Sequence, residues 1–236
     1  MLLLMQGILL IDKPKGWTSF DVVNYVRKMV ATAEGKKPKN TKVGHTGTLD
    51  PLATGLLVLL VGKEYTRKAM TLTKLDKTYD VTMKLGKTSS TGDDEGEKSV
   101  VSDTTPDQKA VREALEQFRG EIMQVPPVFS AMKVNGQRAY KLAREGKAVE
   151  LEARPVMINS IKFTNYDYPF VAFTADVGSG TYIRSLVEDI GKLLGTGAYM
   201  SDLRRTRVGT FELSDAAAIK ALDQSTITKN MLTFIL

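Results

Sequence analysis

The chain has 236 residues, of which 42% are hydrophobic and 25% charged, so it can bury one large core or two small ones. It contains no cysteine, which excludes disulfides, thiolate metal sites and cysteine nucleophiles, and its single histidine leaves no imidazole cluster for zinc or iron. The formal charge of +6 favours a polyanionic partner such as nucleic acid, although many moderately basic proteins bind none.

The N-terminal run MLLLMQGILLI is apolar enough to raise the question of a signal peptide. It has neither a basic start nor a small-residue cleavage site, and it continues directly into the charged DKPK, so we interpret it as a leading strand. No apolar run approaches the roughly 20 residues that span a bilayer. We therefore expect a cytoplasmic protein.

The first predicted elements are a strand and an amphipathic helix. The strand runs from Gly7 to Lys13, and Pro14 and Gly16 prevent it from continuing. Thr18 begins the helix, and Asp21 three residues later completes a capping box. The buried face of the predicted helix consists of Val22, Val23, Val26, Met29 and Val30.

A polar, basic segment at residues 31–42 is predicted to be an exposed loop, and it leads into the motif GHTGTLDPLATG at residues 44–55. Asp50 precedes Pro51, which disfavours the helical conformation and holds Asp50 extended. An isolated Asp-Pro is most often a turn in which the aspartate caps an amide. Here glycines allow the backbone to approach a ligand, and the apolar GLLVLLVG that follows is predicted to be a rigid central strand. His45 is either a hydrogen-bonded loop residue or a ring that stacks on or displaces a nucleobase.

The rest of the chain mixes strands and helices. Residues 77–85 alternate between apolar and polar side chains, which predicts a strand with Tyr79 on its inward face. The other predicted elements are a polar connection at 88–99, a helix from Thr105, Pro106 and Gln108 to Gly120, an insertion with little core at 121–155, strands at 156–163 and 170–177, a helix capped by Thr181, a strand at 204–213 and a short helix from Ser214. Because no regular βαβ alternation appears, we expect an α+β fold: a mixed, mainly antiparallel central sheet flanked by helices.

Several side chains have both a structural and a functional interpretation. Tyr79 either fills the core or directs its hydroxyl at a partner. Arg184 lies in the first turn of its predicted helix, where the macrodipole disfavours a cation, so it is either solvated or paired with an anion such as Asp50. Arg204 and Arg205 are either solvent-facing strand residues or phosphate ligands, and the same two interpretations apply to Lys42.

Six segments of the sequence are informative when taken together. They are DKPKGWTS, GHTGTLDPLATG, KTYDV, PPVFSAMKVNGQRAYKLAREG, GSGTYIRSL and LRRTRVG. These segments resemble motifs of the TruB family of tRNA pseudouridine synthases and occur in the family's order, and GHTGTLDPLATG resembles its catalytic motif. They span nearly the whole chain, and their ordered occurrence is far more specific than any single match.

The resemblance implies a role for each candidate residue. Asp50 is implied as the essential aspartate, His45 as the residue that takes the place of the uridine in the RNA stack, and Tyr79 as the side chain that packs against the flipped base. Arg184 is implied to pair with Asp50, while Tyr182 and Leu203 line the pocket. The residues expected to contact RNA are Lys42, Lys133, Arg138, Arg144, Arg204 and Arg205.

The implied reaction is isomerisation of the uridine at position 55 in the T arm of tRNA, with no cofactor and no metal. Asp50 would add to the base, attack the sugar or abstract a sugar proton, and the sequence does not choose among these routes. The resemblance implies one catalytic domain over residues 1–236, a thumb-like RNA-binding insertion at 121–155, and a monomer that binds the T-arm stem-loop.

Many family members carry a C-terminal RNA-binding PUA domain, whereas this sequence ends at TFIL, so we expect no PUA domain here.

Two alternatives to the implied function stay open. One alternative is a related synthase that modifies other RNAs. The other is an RNA-binding or RNA-folding factor in which catalysis is secondary.

Overall fold

A computed structural model describes residues 5–130, 132–134, 136–223 and 225–233; residues 1–4, where the predicted leading run begins, lie outside them. The longer strands are β1 (Gly7–Lys13), β2 (Val43–His45), β3 (Thr54–Val61), β4 (Lys77–Leu85), β5 (Lys87–Ser89), β6 (Lys98–Val100), β7 (Gly120–Gln124), β10 (Arg154–Asp167), β11 (Phe170–Val177) and β12 (Ala198–Val208). Two-residue strands are β8 (Lys133–Val134), β9 (Gln137–Arg138), β13 (Phe211–Glu212), β14 (Ala217–Ala218) and β15 (Met231–Leu232). The α-helices are α1 (Ser19–Ala33), α2 (Lys63–Arg67), α3 (Ala69–Thr73), α4 (Gln108–Glu116), α5 (Ala139–Arg144) and α6 (Ile183–Leu193), and short 3₁₀ helices lie at Pro38–Asn40, Leu213–Asp215 and Ile219–Ala221.

The chain divides into two compact units. The first unit consists of Met1–Tyr79 and Arg204–Leu236, and the second of Asp80–Leu203. Both unit boundaries fall inside strands, within β4 and within β12, so each of these strands contributes residues to both units.

The first unit is built on the antiparallel pair β1 and β3, whose register runs from Gly7 opposite Val61 to Lys13 opposite Gly55. The end of β12 joins β3 as a parallel neighbour, with Arg205 opposite Gly55. Every residue of β3 after Thr54 is buried, which confirms the prediction of a central strand covered on both faces.

Helix α1 covers one face of this sheet. Its N-terminus has the predicted capping box, in which the Thr18 side chain accepts from the Asp21 N–H and the Asp21 carboxylate accepts from the Thr18 N–H. The buried face predicted for α1 packs in one apolar cluster with side chains from β1 and β3, and Met29 is partly buried at its edge. A second cluster covers the opposite face of β1 and β3 with residues that include Leu72 and Phe211.

In the second unit the strands follow the order β4, β11, β10, β7, and β10 pairs antiparallel with both β11 and β7. Helix α4 begins at Gln108, later than the start predicted at Thr105 and Pro106. Its N-cap is Asp107, whose carboxylate accepts from the Ala110 N–H. Helix α6 has Tyr182 at its N-cap, so the predicted cap at Thr181 is wrong by one residue; the Thr181 hydroxyl donates to the Gly178 carbonyl instead.

Four segments differ from prediction. Residues 31–33 complete α1, and Thr41 is buried, so the predicted loop is shorter and less exposed than expected. The polar connection at 88–99 contributes to the hairpin of β5 and β6. The last predicted strand begins earlier, at Ala198, and Leu213–Asp215 is a 3₁₀ turn where a helix from Ser214 was expected.

The bounds of the predicted insertion also change. β7 pairs with the beginning of β10, with Arg154 opposite Gln124, so residues 121–124 and 154–155 belong to the sheet. The segment outside the sheet is residues 125–153, which we call the insertion from here on. Within it the described residues form the small pair β8 and β9 and the short helix α5.

The predicted class is confirmed, because the sheet is mixed and mainly antiparallel, with helices beside it. Parallel pairings among the described residues include β1 with β14 and β3 with β12. In the part of the chain that the structure describes, no helix combines the length and the apolar character needed to cross a membrane.

Gly55 provides a test of the β3 and β12 pairing. Its φ is +96°, and a Cβ there would lie 2.3 Å from the Arg205 carbonyl oxygen, whereas Gly120 has φ +101° and open space around its Cβ position. Both Gly→Ala changes carry backbone strain of about 1–3 kcal/mol, and only Gly55→Ala adds a clash with backbone, worth about 1–3 kcal/mol more. Urea unfolding should show the larger loss for Gly55→Ala; equal losses would contradict the close approach of these strands.

Candidate active site

The motif at residues 44–55 contains the end of β2, the connection that follows it and the beginning of β3, and we call it the Asp50 loop. β2 pairs with β3 up to His45, and the Thr46 N–H then donates to the Val58 carbonyl at 3.1 Å. At the far side of the loop the Ala53 N–H donates to the Asp50 carbonyl at 3.1 Å, which closes a tight turn across Pro51. Asp50 itself is half-buried, between the buried side chains of Leu49 and Leu52.

Backbone groups on both sides of Asp50 are tied to the connection between β1 and α1. The Ser19 hydroxyl donates to the Leu49 carbonyl at 2.9 Å, and the Leu49 N–H donates to the Ser19 oxygen at 2.8 Å. The Gly16 N–H donates to the Pro51 carbonyl at 2.8 Å. These bonds fix the peptide groups before and after Asp50, so the position of its carboxylate depends little on loop motion.

The side chain of Lys13, at the end of β1, also forms hydrogen bonds that hold the Asp50 loop. Its side chain has no exposed surface, and its ammonium donates to the carbonyls of Trp17 at 2.6 Å, Pro14 at 3.0 Å and Pro51 at 3.4 Å. A buried ammonium is costly unless its N–H groups are hydrogen-bonded, and carbonyl groups of this loop region meet that requirement. From the sequence Lys13 was predicted only to end a strand; its position inside DKPKGWTS was the signal for this role.

Arg205 supports the Asp50 loop, and the prediction that it binds RNA is wrong. Its side chain is 1% exposed. The guanidinium donates through Nε to the Leu56 carbonyl at 2.7 Å and through Nη2 to the Gly47 carbonyl at 3.0 Å. A phosphate has no access to a cation buried in this way. The neighbouring Arg204 forms a two-point ion pair with Asp12, with a shortest distance of 2.8 Å, but it is partly exposed and its RNA contact stays a prediction.

Lys77 lies beside Arg205 beneath the Asp50 loop. A Cβ built on Gly47 would lie 3.4 Å from both Arg205 Nη1 and Lys77 Cε, so the two cations meet the loop at one point. The Lys77 ammonium donates to the carbonyls of Leu75 and Thr73 at 2.6 and 3.1 Å. Burial, together with the nearby Arg205 charge, lowers the pKa of Lys77 to about 8 against an opposing effect of Asp76.

His45 and Tyr79 are half-buried and buried, respectively. Nδ1 of His45 accepts from the Gly47 N–H at 3.3 Å, so the neutral ring carries its proton on Nε2. Burial, and next the Arg205 charge, lower the pKa of His45 below its ordinary 6.5. The imidazole is therefore uncharged at neutral pH, as suits an aromatic surface for stacking. Tyr79 is 8% exposed and follows Lys77 on the inward side of β4, as predicted.

Arg184 is buried in the first turn of α6 in the second unit. It donates to the carbonyls of Thr91 at 3.2 Å and Phe129 at 3.0 Å. It also lies 4.0 Å from the buried Asp93 carboxylate, which accepts from the Thr91 hydroxyl and the Glu95 N–H. The pairing with an anion offsets the unfavourable helix macrodipole. Sequence reasoning missed Asp93, because TSSTGDDEGEKS has the composition of a solvated loop.

Tyr182 and Leu203 also lie in the second unit. Gln124 holds the backbone of Tyr182 at two points, since its Oε1 accepts from the Tyr182 N–H at 2.8 Å and its Nε2 donates to the Tyr182 carbonyl at 3.1 Å. The Arg154 guanidinium lies 5.3 Å from the centroid of the Tyr182 ring. Leu203 is buried in β12. Gln124 was another residue missed by sequence reasoning, although its place directly before Val-Pro-Pro marks the end of a strand.

The candidate residues thus divide between the units. Asp50, His45 and Tyr79 belong to the first, whereas Tyr182, Arg184 and Leu203 belong to the second, and their convergence stays a prediction, as does the pairing of Arg184 with Asp50. The other basic residues predicted to bind RNA are exposed, and their role also stays a prediction: Lys42, Lys133, Arg138 and Arg144. Within the described ranges, no three His, Cys, Asp or Glu side chains come together as metal ligands.

Two family models match the chain. The model of the TruB family pseudouridylate synthase N-terminal domain matches residues 35–183, and the model of the tRNA pseudouridylate synthase B C-terminal domain matches residues 184–233. A protein named tRNA pseudouridine synthase B from Clostridium acetobutylicum is 45% identical over 97% of this chain and 76% of its own length. A protein of the same name from Burkholderia mallei is 44% identical over 94% of this chain and 70% of its own length.

The fold is similar to solved structures as well. A chain in the crystal structure of a Cbf5–Nop10–Gar1 complex superposes with a TM-score of 0.70 and 30% sequence identity, over 92% of this chain. This chain spans about half the length of that solved one, 53%.

Because His45 is the single histidine of the chain, the protonation of its ring can be measured directly. Because burial and Arg205 disfavour the imidazolium, NMR titration of the His45 ring should give a midpoint below 6.5 and the Nε2–H tautomer. The unfolded chain binds the proton more tightly, so the free energy of unfolding should fall as the pH drops through and below about 6.5. A midpoint above 6.5 would contradict the buried, neutral ring.

Proposed function

Since the chain belongs to the TruB family of pseudouridylate synthases, we propose that it isomerises the uridine at position 55 in the T arm of tRNA to pseudouridine. The reaction moves the glycosidic bond from N1 to C5 of the retained uracil, so it requires no net oxidation and no energy source. The observation that carries the proposal is a carboxylate, Asp50, on a loop whose flanking peptide groups are fixed by hydrogen bonds.

Asp50 is the proposed catalytic residue. Its backbone is held by Ser19 and Gly16, so the carboxylate is positioned before substrate arrives, and preorganised groups lower the barrier because they need no rearrangement in the transition state. The three routes open from the sequence, addition to the base, attack on the sugar and abstraction of a sugar proton, all use this one carboxylate.

His45 is proposed to take the place of the flipped uridine in the RNA stack. Extrusion of a base costs a few kcal/mol of stacking and pairing, and an aromatic ring that enters the gap recovers part of that energy. A neutral imidazole suits this role, because it brings no desolvated charge into the stack. Tyr79 is proposed to pack against the extruded base.

The second unit is proposed to complete the site through Arg184, Tyr182 and Leu203. In this proposal Arg184 pairs with Asp50, and Asp93 is the positioning residue that holds the guanidinium. Gln124 has a similar positioning role for Tyr182, whose backbone it binds at two points.

The RNA contacts are proposed to come from basic residues remote from the reacting atoms. Binding energy from such contacts offsets the cost of base extrusion. The insertion contributes Lys133, Arg138 and Arg144, and the first unit contributes Lys42 and Arg204. We propose a cytoplasmic monomer that binds the T-arm stem-loop of tRNA.

The direct test is site-specific mapping of pseudouridine in an unmodified tRNA transcript. Asp50→Asn should lower the rate of product formation at the T-arm uridine by at least about 100-fold and leave RNA affinity within about twofold, because it removes a catalytic carboxylate without changing net contacts to phosphate. Asp103→Asn changes an exposed carboxylate of the second unit and should match wild type.

The remaining outcomes separate the alternatives. Product at another uridine or in another RNA would assign a different substrate within the family. No product from folded, RNA-binding wild-type protein would favour the RNA-binding or RNA-folding factor. Loss of affinity without loss of turnover in Asp50→Asn would contradict the assignment of Asp50 as catalyst.

A further inference from the structure

A basic pocket lies on the first unit, between α1, the 3₁₀ helix Pro38–Asn40 and the beginning of β2. Its volume is about 380 Å³. Its walls are formed by Asn24, Arg27, Lys28, Pro38, Lys39, Thr41, Lys42 and Val43. The lining contains four cations and no carboxylate, which makes the pocket strongly electropositive.

The positive charge of the pocket is not neutralised by its surroundings. Among the described residues, the ion pairs involve other side chains, and the nearest in sequence joins Lys36 to Glu34, outside the pocket lining. Lys28, Lys39 and Lys42 are exposed. An anion that enters the pocket therefore meets cations whose charge is available to it.

Arg27 is the ordered cation of the pocket. Its Nη1 donates to the Asn24 side-chain oxygen at 2.7 Å, and its Nη2 donates to the Val43 carbonyl at 3.2 Å. These two bonds connect α1 to β2 and fix the plane of the guanidinium. The remaining N–H groups are preorganised for a planar or tetrahedral oxyanion, the ligand that arginine binds most specifically.

Thr41 provides a second, independent observation. It lines the pocket and is buried, and its hydroxyl has no hydrogen-bond partner among the residues that the structure describes. A buried hydroxyl without a partner is costly and uncommon in proteins. An oxyanion seated in the pocket would offer this hydroxyl an acceptor.

We propose that this pocket binds a backbone phosphate of RNA, at a site separate from the one that receives the uridine. That this RNA is a tRNA rests on the proposed function, whereas the binding of a phosphate by the pocket does not rest on it. Lysine and arginine side chains that converge without a carboxylate are the usual ligands of nucleic-acid phosphates, and such contacts set the register of the protein on the RNA.

Two features favour a phosphate within RNA over free inorganic phosphate. Phe20 lies one helical turn before Asn24 on α1, its side chain is 62% exposed, and the Arg27 guanidinium lies 6.0 Å from its ring centroid. An exposed aromatic ring beside a phosphate site offers a surface on which a base or ribose can pack.

The second feature is the short link from the pocket to the Asp50 loop. Lys42 immediately precedes β2, and β2 ends at His45. Three residues of strand span about 10 Å. A phosphate held by Lys42 and Arg27 would thus be fixed, through a single hydrogen-bonded strand, relative to the residue proposed to enter the RNA stack.

The test uses the double variant Lys39→Ala/Lys42→Ala, with Lys220→Ala/Lys229→Ala as a matched control of exposed lysines in the same unit. Binding of a fluorescent T-arm stem-loop is measured by anisotropy over a range of salt concentrations, after thermal unfolding has shown that both variants fold. Loss of one phosphate contact should raise Kd about tenfold near 100 mM salt and reduce the slope of log K against log salt by about 1, while the control matches wild type. A Kd and a slope equal to those of the control would overturn the proposal.

Two further comparisons test whether the bound phosphate belongs to RNA and whether the pocket result depends on catalytic activity. Calorimetric titration of the wild-type protein with inorganic phosphate should show millimolar binding that the pocket variant loses; micromolar binding, with RNA affinity unchanged in the variant, would assign the pocket to a free anion and overturn the RNA proposal. Anisotropy reads binding alone, so wild-type protein that binds the stem-loop but forms no pseudouridine would refute the proposed function while the pocket result stands.

Discussion

The arrangement of the first unit depends on two buried cations whose hydrogen-bond acceptors are carbonyl groups in and beside the Asp50 loop. Lys13 donates to the Pro51 carbonyl and Arg205 to the Gly47 carbonyl, and neither side chain has appreciable contact with solvent. An unpaired charge in such a place costs several kcal/mol, so the fold is stable only when the loop presents these carbonyls. The requirement couples the position of Asp50 to the core of β1, β3 and β12.

Arg205 also affects the titration of its neighbours. Burial, and next the Arg205 charge, lower the pKa of both His45 and Lys77, and Lys77 lies against the loop at Gly47. The aromatic ring proposed to enter the RNA stack is therefore neutral at neutral pH. Positive charge that is available to phosphate lies elsewhere in the first unit, around Arg27 and Lys42. Buried cations thus hold the loop, and the exposed ones are the residues proposed to bind the polyanion.

Local patterns in the sequence were sufficient to predict helices and strands, but not to predict contacts between side chains that are distant in sequence. The capping box at Thr18, the unbroken apolar run of β3 and the alternation around Tyr79 are encoded by near neighbours, and the structure confirms each one. Arg205 was misinterpreted because a cation among basic residues usually faces solvent, and the carbonyls that bury it come from residues about 150 positions earlier. Asp93 and Gln124 were missed for the same reason, since their partners Arg184 and Tyr182 are distant in sequence. The residues of the motif at 44–55 brought Asp50 and His45 to notice, and the resemblance implied their roles. The contacts that hold them were visible only in the fold.

Residue-resolved hydrogen exchange of the free protein tests whether these buried bonds preorganise the Asp50 loop. We predict that the amides of Thr46 and Leu49, which donate to the Val58 carbonyl and the Ser19 hydroxyl, exchange nearly as slowly as amides inside β3, and that Ser19→Ala accelerates exchange at Leu49. Exchange of both amides at the rate of an exposed loop in the wild-type protein would contradict preorganisation, because the loop would then be ordered only when RNA binds.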